Sequence, residues 1–188
     1  MAKTSGLQKI VLTYEDYLRL PNDDRRYEIL EGELFVSPAP NTKHQIVSMN
    51  LAAILHEYAR KHKWGRVMIA PTDVILSQTH VVQPDLLFIS SPRRKILTEK
   101  NVQGAPDLIV EILSEFTEDQ DRTLKMQIYA RHSVKEYWLI DPDRETLEVY
   151  ELDAESRLFR QRAIHRRDEA FQPTLFPQLE LKLIELWE

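Results

Sequence analysis

The sequence predicts an α/β (α+β) fold, in which helices flank a mixed β-sheet. Segments with the period-two or all-apolar pattern of strands fill most of the chain after residue 65, and two longer stretches have helical apolar spacing. Elements interspersed in this way pack in layers, because each has an apolar side to bury. The 188 residues contain no evident linker, so we expect one domain spanning residues 1–188.

The N-terminal part predicts a short helix followed by a hairpin. Thr13, with Asp16 three positions later, is typical of a helix N-cap, and the helix is expected to end near 21–24. Two short strands within 26–37 flank the turn pair Glu31-Gly32. This pattern predicts an N-terminal β-hairpin extension.

The rest of the chain alternates predicted strands with two helices. The helices are expected over 42–63, where Gly65 marks the end, and over 118–131, where Thr117 is the predicted N-cap. The predicted strands span 65–70, 72–76, 83–90, 107–113, 136–141, 146–152 and 158–164. A basic stretch, 91–104, separates two of them, and a short strand and turn are expected over 179–187.

Composition excludes several classes of function. The absence of cysteine from the sequence excludes disulfides, thiol catalysis and cysteine-ligated metals. The sequence has no apolar run of membrane-spanning length, and residues 1–6 lack the apolar core of a secretory signal, so we expect a cytoplasmic protein without membrane contact. The net charge of −5 argues mildly against non-specific nucleic-acid binding. The basic clusters at 60–63, 93–95 and 157–167 are interpreted as solvated faces, although 93–95 could touch a phosphate backbone.

Two carboxylates carry the candidate chemistry. Glu111 lies inside the aliphatic run 108–113, where a buried carboxylate is costly unless a partner neutralises it. Asp107 shares its strand face, but four residues at ~3.3 Å each put the two roughly 13 Å apart. The partner must come from a neighbouring strand, and Asp85, after Pro84, opens the nearest strand-like segment upstream. Neighbouring strands lie about 4.8 Å apart, so these two carboxylates could share one ion.

A cation held by carboxylates suits chemistry at phosphorus. Carboxylate, water and phosphate oxygens are ligands of Mg²⁺ or Mn²⁺, and such an ion lowers the pKa of bound water. A nearby lysine would position that water or stabilise charge on the phosphoryl oxygens. Arg122, Lys125 and Tyr129 fall on one face of the predicted helix, so Lys125 reaches the acids if that face packs on the sheet. Each residue alone also has an ordinary structural explanation, and the order of the three is the informative feature.

In that order, the residues resemble the PD-(D/E)XK nuclease superfamily, which has the restriction-endonuclease-like fold, and its restriction endonuclease branch of unknown target. The matching stretches are 27–34, 37–44, 84–88, 104–114, Lys125 with Tyr129, and 136–142. The resemblance covers most of the chain from 14 to 152. It implies a mixed β-sheet flanked by helices and the hydrolysis of DNA phosphodiester bonds with Mg²⁺ (or Mn²⁺).

The resemblance also implies roles for individual residues. Asp85 stands at the aspartate of the motif and Glu111 at its Asp/Glu position, as metal ligands. The lysine of the motif normally follows that acid by two residues, a position occupied here by Leu113. The strict motif is therefore broken, and Lys125 resembles the relocated lysine of variant branches.

Two further residues are candidates for the same site. An acidic residue from an N-terminal element often completes sites of this family, and Glu28 is the first candidate and Glu31 the second. His44 opens the long helix after a proline-rich loop, so it could hold a phosphate or water, or could equally be a surface histidine. Tyr137 and Trp138 are expected to pack in a central strand.

We therefore expect a metal-dependent endodeoxyribonuclease that needs no small-molecule cofactor. One site cuts one strand, so duplex cleavage calls for a two-fold homodimer. One alternative is a nuclease-fold module that binds nucleic acid or assembles without cleaving, which the acidic charge and the displaced lysine would fit. Another is a metal-free glycosidase with Asp85 and Glu111 as acid and base, but 9% aromatic residues offer no special sugar platform.

Overall fold

A computed structural model describes residues 10–21, 23 and 25–188 of the chain. The N-terminal residues 1–6 and two positions of the predicted helix end at 21–24 lie outside the described residues. The first helix, α1, spans Tyr14–Tyr17. The backbone N–H and the hydroxyl of Thr13 both donate to Asp16 Oδ2, at 2.9 and 2.8 Å, so the predicted start of this helix is confirmed.

The predicted hairpin forms the edge of a five-stranded sheet. Its strands, β1 (Arg26–Leu30) and β2 (Glu33–Ser37), pair antiparallel around a turn in which Glu31 and Gly32 have φ of 52° and 74°. The order is β2-β1-β5-β4-β7, with β4 at Val74–Ser77, β5 at His80–Val82 and β7 at Val102–Gln103. Neither β5 nor β7 was predicted, because strands of three and two residues are too short to show an alternating pattern.

A six-stranded mixed sheet forms the centre of the fold, as the sequence predicts. Its order is β11-β10-β9-β8-β6-β3. The strands are β3 (Gly65–Ile69), β6 (Leu86–Ser90), β8 (Leu108–Ile112), β9 (Glu136–Asp141), β10 (Thr146–Leu152) and β11 (Phe159–Arg166). β8 and β9 run parallel, and the other neighbours pair antiparallel. All six strands were predicted, with ends that differ by at most three residues.

Helices pack on the central sheet. The long helix α2 spans Thr42–Lys61, and a 3₁₀ helix spans Ser91–Ile96. The second predicted helix begins as α3 (Glu118–Gln120), widens into a π turn (Asp121–Lys125) and continues as α4 (Met126–Arg131). The chain ends with the strand pair β12 (Ala170–Phe171) and β13 (Leu181–Lys182) and helix α5 (Ile184–Trp187). Of the helices in the described part of the chain, none has the length and apolar character of a membrane span.

The central sheet separates two apolar cores. On β8, Leu108, Val110 and Ile112 point into the core beneath α2, whereas Ile109 points into the core beneath α4. Alternation therefore turns Glu111 toward α4. Tyr137 and Trp138 fill opposite cores from β9 and are both fully buried, as predicted.

A buried carboxyl outside the candidate site also shapes stability. Glu136 opens β9 and is buried, and the Trp138 indole N–H donates to its Oε2 at 3.0 Å. Burial, partly offset by this hydrogen bond, raises the pKa of Glu136 from its ordinary 4.5 to about 7. Between these two pH values the folded chain holds a proton that the unfolded chain has lost.

Glu136→Gln should change how stability depends on pH. Because the folded state binds more protons, the Glu136 carboxyl lowers the free energy of unfolding as pH rises from about 4.5 to about 7. In the variant, the free energy of unfolding should fall less steeply over this pH range. Urea unfolding at several pH values measures the difference. Glu99→Gln, at an exposed position, is the control. If the free energy of unfolding varied with pH in the same way for Glu136→Gln and for the wild type, the raised pKa of Glu136 would be contradicted.

Candidate active site

The two predicted metal ligands stand opposite each other on adjacent strands. β6 and β8 pair antiparallel with Leu86 opposite Val110, so the same register sets Asp85, one residue before β6, opposite Glu111. The Ile112 N–H donates to Asp85 Oδ2 at 2.8 Å and fixes the carboxylate against β8. Both side chains are buried, with 3% and 1% of Asp85 and Glu111 exposed. The prediction that these acids come from neighbouring strands is confirmed, and their role stays a prediction.

Lys125 is buried among three carboxylates. Its Nζ lies 3.1 Å from Glu28 Oε2, 3.2 Å from Glu111 Oε1 and 3.1 Å from Asp121 Oδ1. Taking an ammonium out of water costs several kcal/mol, and three carboxylates at this distance offset that cost. The side chain therefore points at the predicted acids. Asp121 was not predicted as a member of the site.

The predicted helix face is wrong in one respect. The face of Lys125 was expected to include Arg122, but Arg122 points away and pairs with Glu118 and Glu148 at 2.9 and 2.8 Å. The extra residue of the π turn shifts the helix faces, so that Asp121 takes the buried position. No pattern in the sequence signals this turn.

Glu111 is a carboxyl of the site with a strongly raised pKa. The Tyr129 hydroxyl donates to its Oε1 at 2.6 Å, as the predicted helix face allows. Burial chiefly, with the charges of Asp121 and Asp85, raises the pKa of Glu111 to about 8, although Lys125 opposes this rise. Burial acts to lower the pKa of Lys125, but the charges of Asp121 and Glu111 outweigh it and hold that pKa above its ordinary value.

Asp85 is held from the other side of the site. Its Oδ1 accepts from Arg26 Nη1 at 2.7 Å, and its Oδ2 lies 3.0 Å from His44 Nε2. Burial acts to raise the pKa of Asp85, but the His44 hydrogen bond and the Arg26 charge outweigh it and keep the pKa below the ordinary range. His44 is placed by the start of α2, where its N–H donates to Asn41 Oδ1 at 2.9 Å. Of the two interpretations of His44, the structure supports the one that faces the site.

Arg26 connects the two acids and was not predicted. While Nη1 contacts Asp85, Nη2 lies 3.6 Å from Glu111 Oε2 and also donates to the Gln83 carbonyl. Arg26 and Glu28 are two residues apart on β1, so they share a strand face, and this alternation was the signal that could have found Arg26.

The structure separates the two candidates for an N-terminal acid. Glu28 is buried in the site, where its Oε1 accepts from the Gln83 N–H at 2.8 Å. Glu31 lies in the hairpin turn, 44% exposed, and pairs with Arg131 and with His80. The second candidate, Glu31, is therefore wrong, because the turn carries it away from the acids.

The charges of the site fit a divalent cation. Four buried carboxylates face two cations. The carboxylates belong to Glu28, Asp85, Glu111 and Asp121, and the cations belong to Arg26 and Lys125. When all four carboxylates are ionised and histidine is neutral, two negative charges remain, which one divalent cation would balance. Because the pKa of Glu111 is raised to about 8, a bound cation would favour this fully ionised state over the protonated one. Among the described residues, no group of three or more His, Asp or Glu side chains is arranged to hold a metal ion. Two carboxylates that leave positions for water and phosphate are a usual arrangement for Mg²⁺.

Cavities give access to these acids. One of about 150 Å³ lies against the loop 37–41 and is lined by Asp85, Glu111 and Lys125. Phe116, 77% exposed, stands at its edge. A larger cavity of about 640 Å³ continues past His44. Both cavities are lined by His44 and Asp85, so they meet beside Asp85.

The mixed sheet with flanking helices is the restriction-endonuclease-like fold. Residues 14–183 match the model of the Uma2 family, described as "Putative restriction endonuclease", and the chain belongs to this family. A crystal structure of a "putative nuclease belonging to DUF820" from Anabaena variabilis superposes with a TM-score of 0.77 at 22% identity, covering 94% of this chain and 97% of that one. A protein of Synechocystis sp., described as uncharacterized, is 24% identical over 144 residues, which is 74% of this chain and 73% of the relative. The family indicates a nuclease.

Lys125→Met should destabilise the fold in a pH-dependent way. The variant leaves three buried carboxylates without their shared cation, which should lower the free energy of unfolding by about 3 kcal/mol at pH 8. The loss should shrink at pH 5, where the carboxyls take up protons. Urea unfolding at both pH values measures it, with Lys61→Met at an exposed position of α2 as control. A loss that does not vary with pH would contradict the charge arrangement.

Proposed function

We propose that this protein is a Mg²⁺-dependent endonuclease that hydrolyses phosphodiester bonds of DNA. The observation that carries the proposal is the opposition of Asp85 and Glu111 on neighbouring strands, with the buried ammonium of Lys125 against Glu111. Membership of the Uma2 family and the fold support the nuclease class. The cavities beside the acids provide room for a nucleic-acid backbone.

Asp85 and Glu111 would hold the cation, Mg²⁺ or Mn²⁺. When bound, this cation supplies an activated water and stabilises negative charge on the phosphate. The low pKa of Asp85 keeps one ligand ionised across the physiological pH range. This chemistry requires no small-molecule cofactor.

Lys125 acts as a charged hydrogen-bond donor. Because its pKa is raised, the ammonium keeps its proton, so it orients water or stabilises charge on the phosphoryl oxygens and does not act as a base. Contacts with Glu28 and Asp121 fix its position before substrate binds, and no reorganisation is then needed. Glu28 is therefore a positioning residue.

His44 and Arg26 act on the Asp85 side. His44 Nε2 contacts Asp85 Oδ2 and orients the carboxylate toward Glu111. Arg26 balances the two acids and is more exposed than Lys125, with 23% of its side chain accessible. We propose that its guanidinium turns to the substrate phosphate when the acids hold the metal.

Duplex cleavage by a protein with one such site requires two copies. A two-fold homodimer would present one site to each strand. Sedimentation of the protein with and without duplex DNA would measure whether it forms this homodimer.

Asp85→Asn and Glu111→Gln test the proposal. Each variant removes one negative ligand while keeping the size of the side chain, so Mg²⁺-dependent nicking of supercoiled plasmid should fall at least about a hundredfold. Asp143 is exposed and pairs with Lys43, and it has no role in the proposed chemistry. Asp143→Asn is therefore the matched control and should nick normally. Circular dichroism checks that all three variants are folded. Unchanged nicking in both site variants would refute the assignment, as would full activity in EDTA.

One observation favours a second candidate, a nuclease-fold module that does not cleave. The Arg26 guanidinium already contacts both acids, an arrangement that would also neutralise them without metal. Calorimetric titration with Mn²⁺ separates the two. Binding that Asp85→Asn abolishes supports the endonuclease, and a wild type that does not bind Mn²⁺ supports the module.

A further inference from the structure

Four basic side chains from separate segments line one cavity away from the acids. Arg60 lies in the last turn of α2, and Lys63 follows that helix. Arg66 lies on β3, and Arg94 lies in the 3₁₀ helix. The cavity measures about 300 Å³. Two basic clusters that are about thirty positions apart in the sequence, and that we interpreted separately as solvated faces, therefore meet at one place.

These four cations are exposed and unpaired. Within the residues that the structure describes, no ion pair or hydrogen bond engages the charged group of any of them. Some exposed arginines elsewhere do pair, as Arg144 does with Asp141 and Arg162 with Glu151. In a chain with a net charge of −5, an unbalanced group of four cations is a local concentration of positive potential.

The fold holds the cavity in a fixed shape. The Ser91 N–H and hydroxyl donate to the carbonyl oxygens of Trp64 and Lys63, both at 2.8 Å, and tie the 3₁₀ helix to the loop after α2. A Cβ on Gly65 would lie 2.2 Å from the Ile89 carbonyl oxygen, so only glycine permits this approach of the loop to the sheet. The cations are thus presented by a rigid frame.

We infer that this cavity binds a backbone phosphate of the nucleic-acid substrate, outside the cleavage site. Arginine forks and lysine ammonium groups match a phosphodiester anion in charge and hydrogen bonding. A contact of this kind positions the nucleic acid and reads no sequence. The inference rests on the proposed endonuclease function.

The position of the cavity agrees with this role. α2 runs from His44 at the acids to Arg60 at the cavity, and this separation of sixteen residues corresponds to about 24 Å. Gly65 pairs with Ser90, so the cavity also lies at the end of the β3–β6 pair that is farther from Asp85. A distance of about 24 Å is about seven base pairs of duplex. A duplex of more than seven base pairs is therefore long enough to span this distance.

The double variant Arg66→Gln with Arg94→Gln tests the inference. Binding of a labelled 24-base-pair duplex is followed by fluorescence anisotropy in EDTA, between 50 and 200 mM KCl. Each lost phosphate contact lowers the slope of log K against log salt by about 0.9, so the double variant, which loses the one phosphate contact of the cavity, should lose about 0.9. Its affinity at 50 mM KCl should fall at least about tenfold.

Arg166→Gln with Lys182→Gln is the matched control. These exposed residues lie outside the cavity, and the double substitution removes the same charge. The control should keep the wild-type slope. An equal loss of slope in both double variants would overturn the inference, because net charge and not position would then explain it.

Two other outcomes would also decide the question. An unchanged slope in Arg66→Gln with Arg94→Gln would overturn the inference. If the wild type then binds orthophosphate saturably and the variant does not, the cavity takes a small anion and not nucleic acid. The assay needs neither Mg²⁺ nor cleavage, so a protein that fails to nick but shows the expected difference in slope refutes the endonuclease alone.

Discussion

The buried ammonium of Lys125 joins the three parts of the molecule that build the site. Glu28 comes from the hairpin sheet, Glu111 from the central sheet and Asp121 from the π turn, and Nζ lies within 3.2 Å of all three. Because the Lys125 ammonium is buried away from water, it needs these three carboxylates to balance its charge. Each carboxylate would in turn be an unbalanced buried charge without the ammonium. The same contact therefore packs the two sheets and the helix together and sets the position of the donor in the proposed chemistry.

Strand register controls which groups meet at this ammonium. Side chains alternate along β8, so Glu111 turns toward α4 while Val110 and Ile112 turn toward α2. Antiparallel pairing with β6 then brings Asp85 opposite Glu111. A slip of one residue would turn Glu111 into the apolar core beneath α2, where no cation balances it. The apolar residues on the other face of β8 therefore specify the site as much as the acids do.

The sequence was sufficient where the signal is local. The central strands, the long helix and the pair Asp85 and Glu111 follow from alternation, spacing and the cost of a carboxylate in an aliphatic run. Arg26 was missed although it shares a strand face with Glu28, and Asp121 was missed because its place depends on a π turn that has no sequence pattern. The same holds for the basic cavity, since only the fold brings Arg66 and Arg94 together.

The most direct test of the account is a crystal of this protein soaked in MnCl₂ and measured for anomalous scattering. The account predicts one ion at about 2.0–2.2 Å from oxygens of both Asp85 and Glu111. Lys125 should remain against Glu28 and Glu111 in that crystal. A map without an ion between the two acids, or an ion bound without either of them, would contradict the central claim.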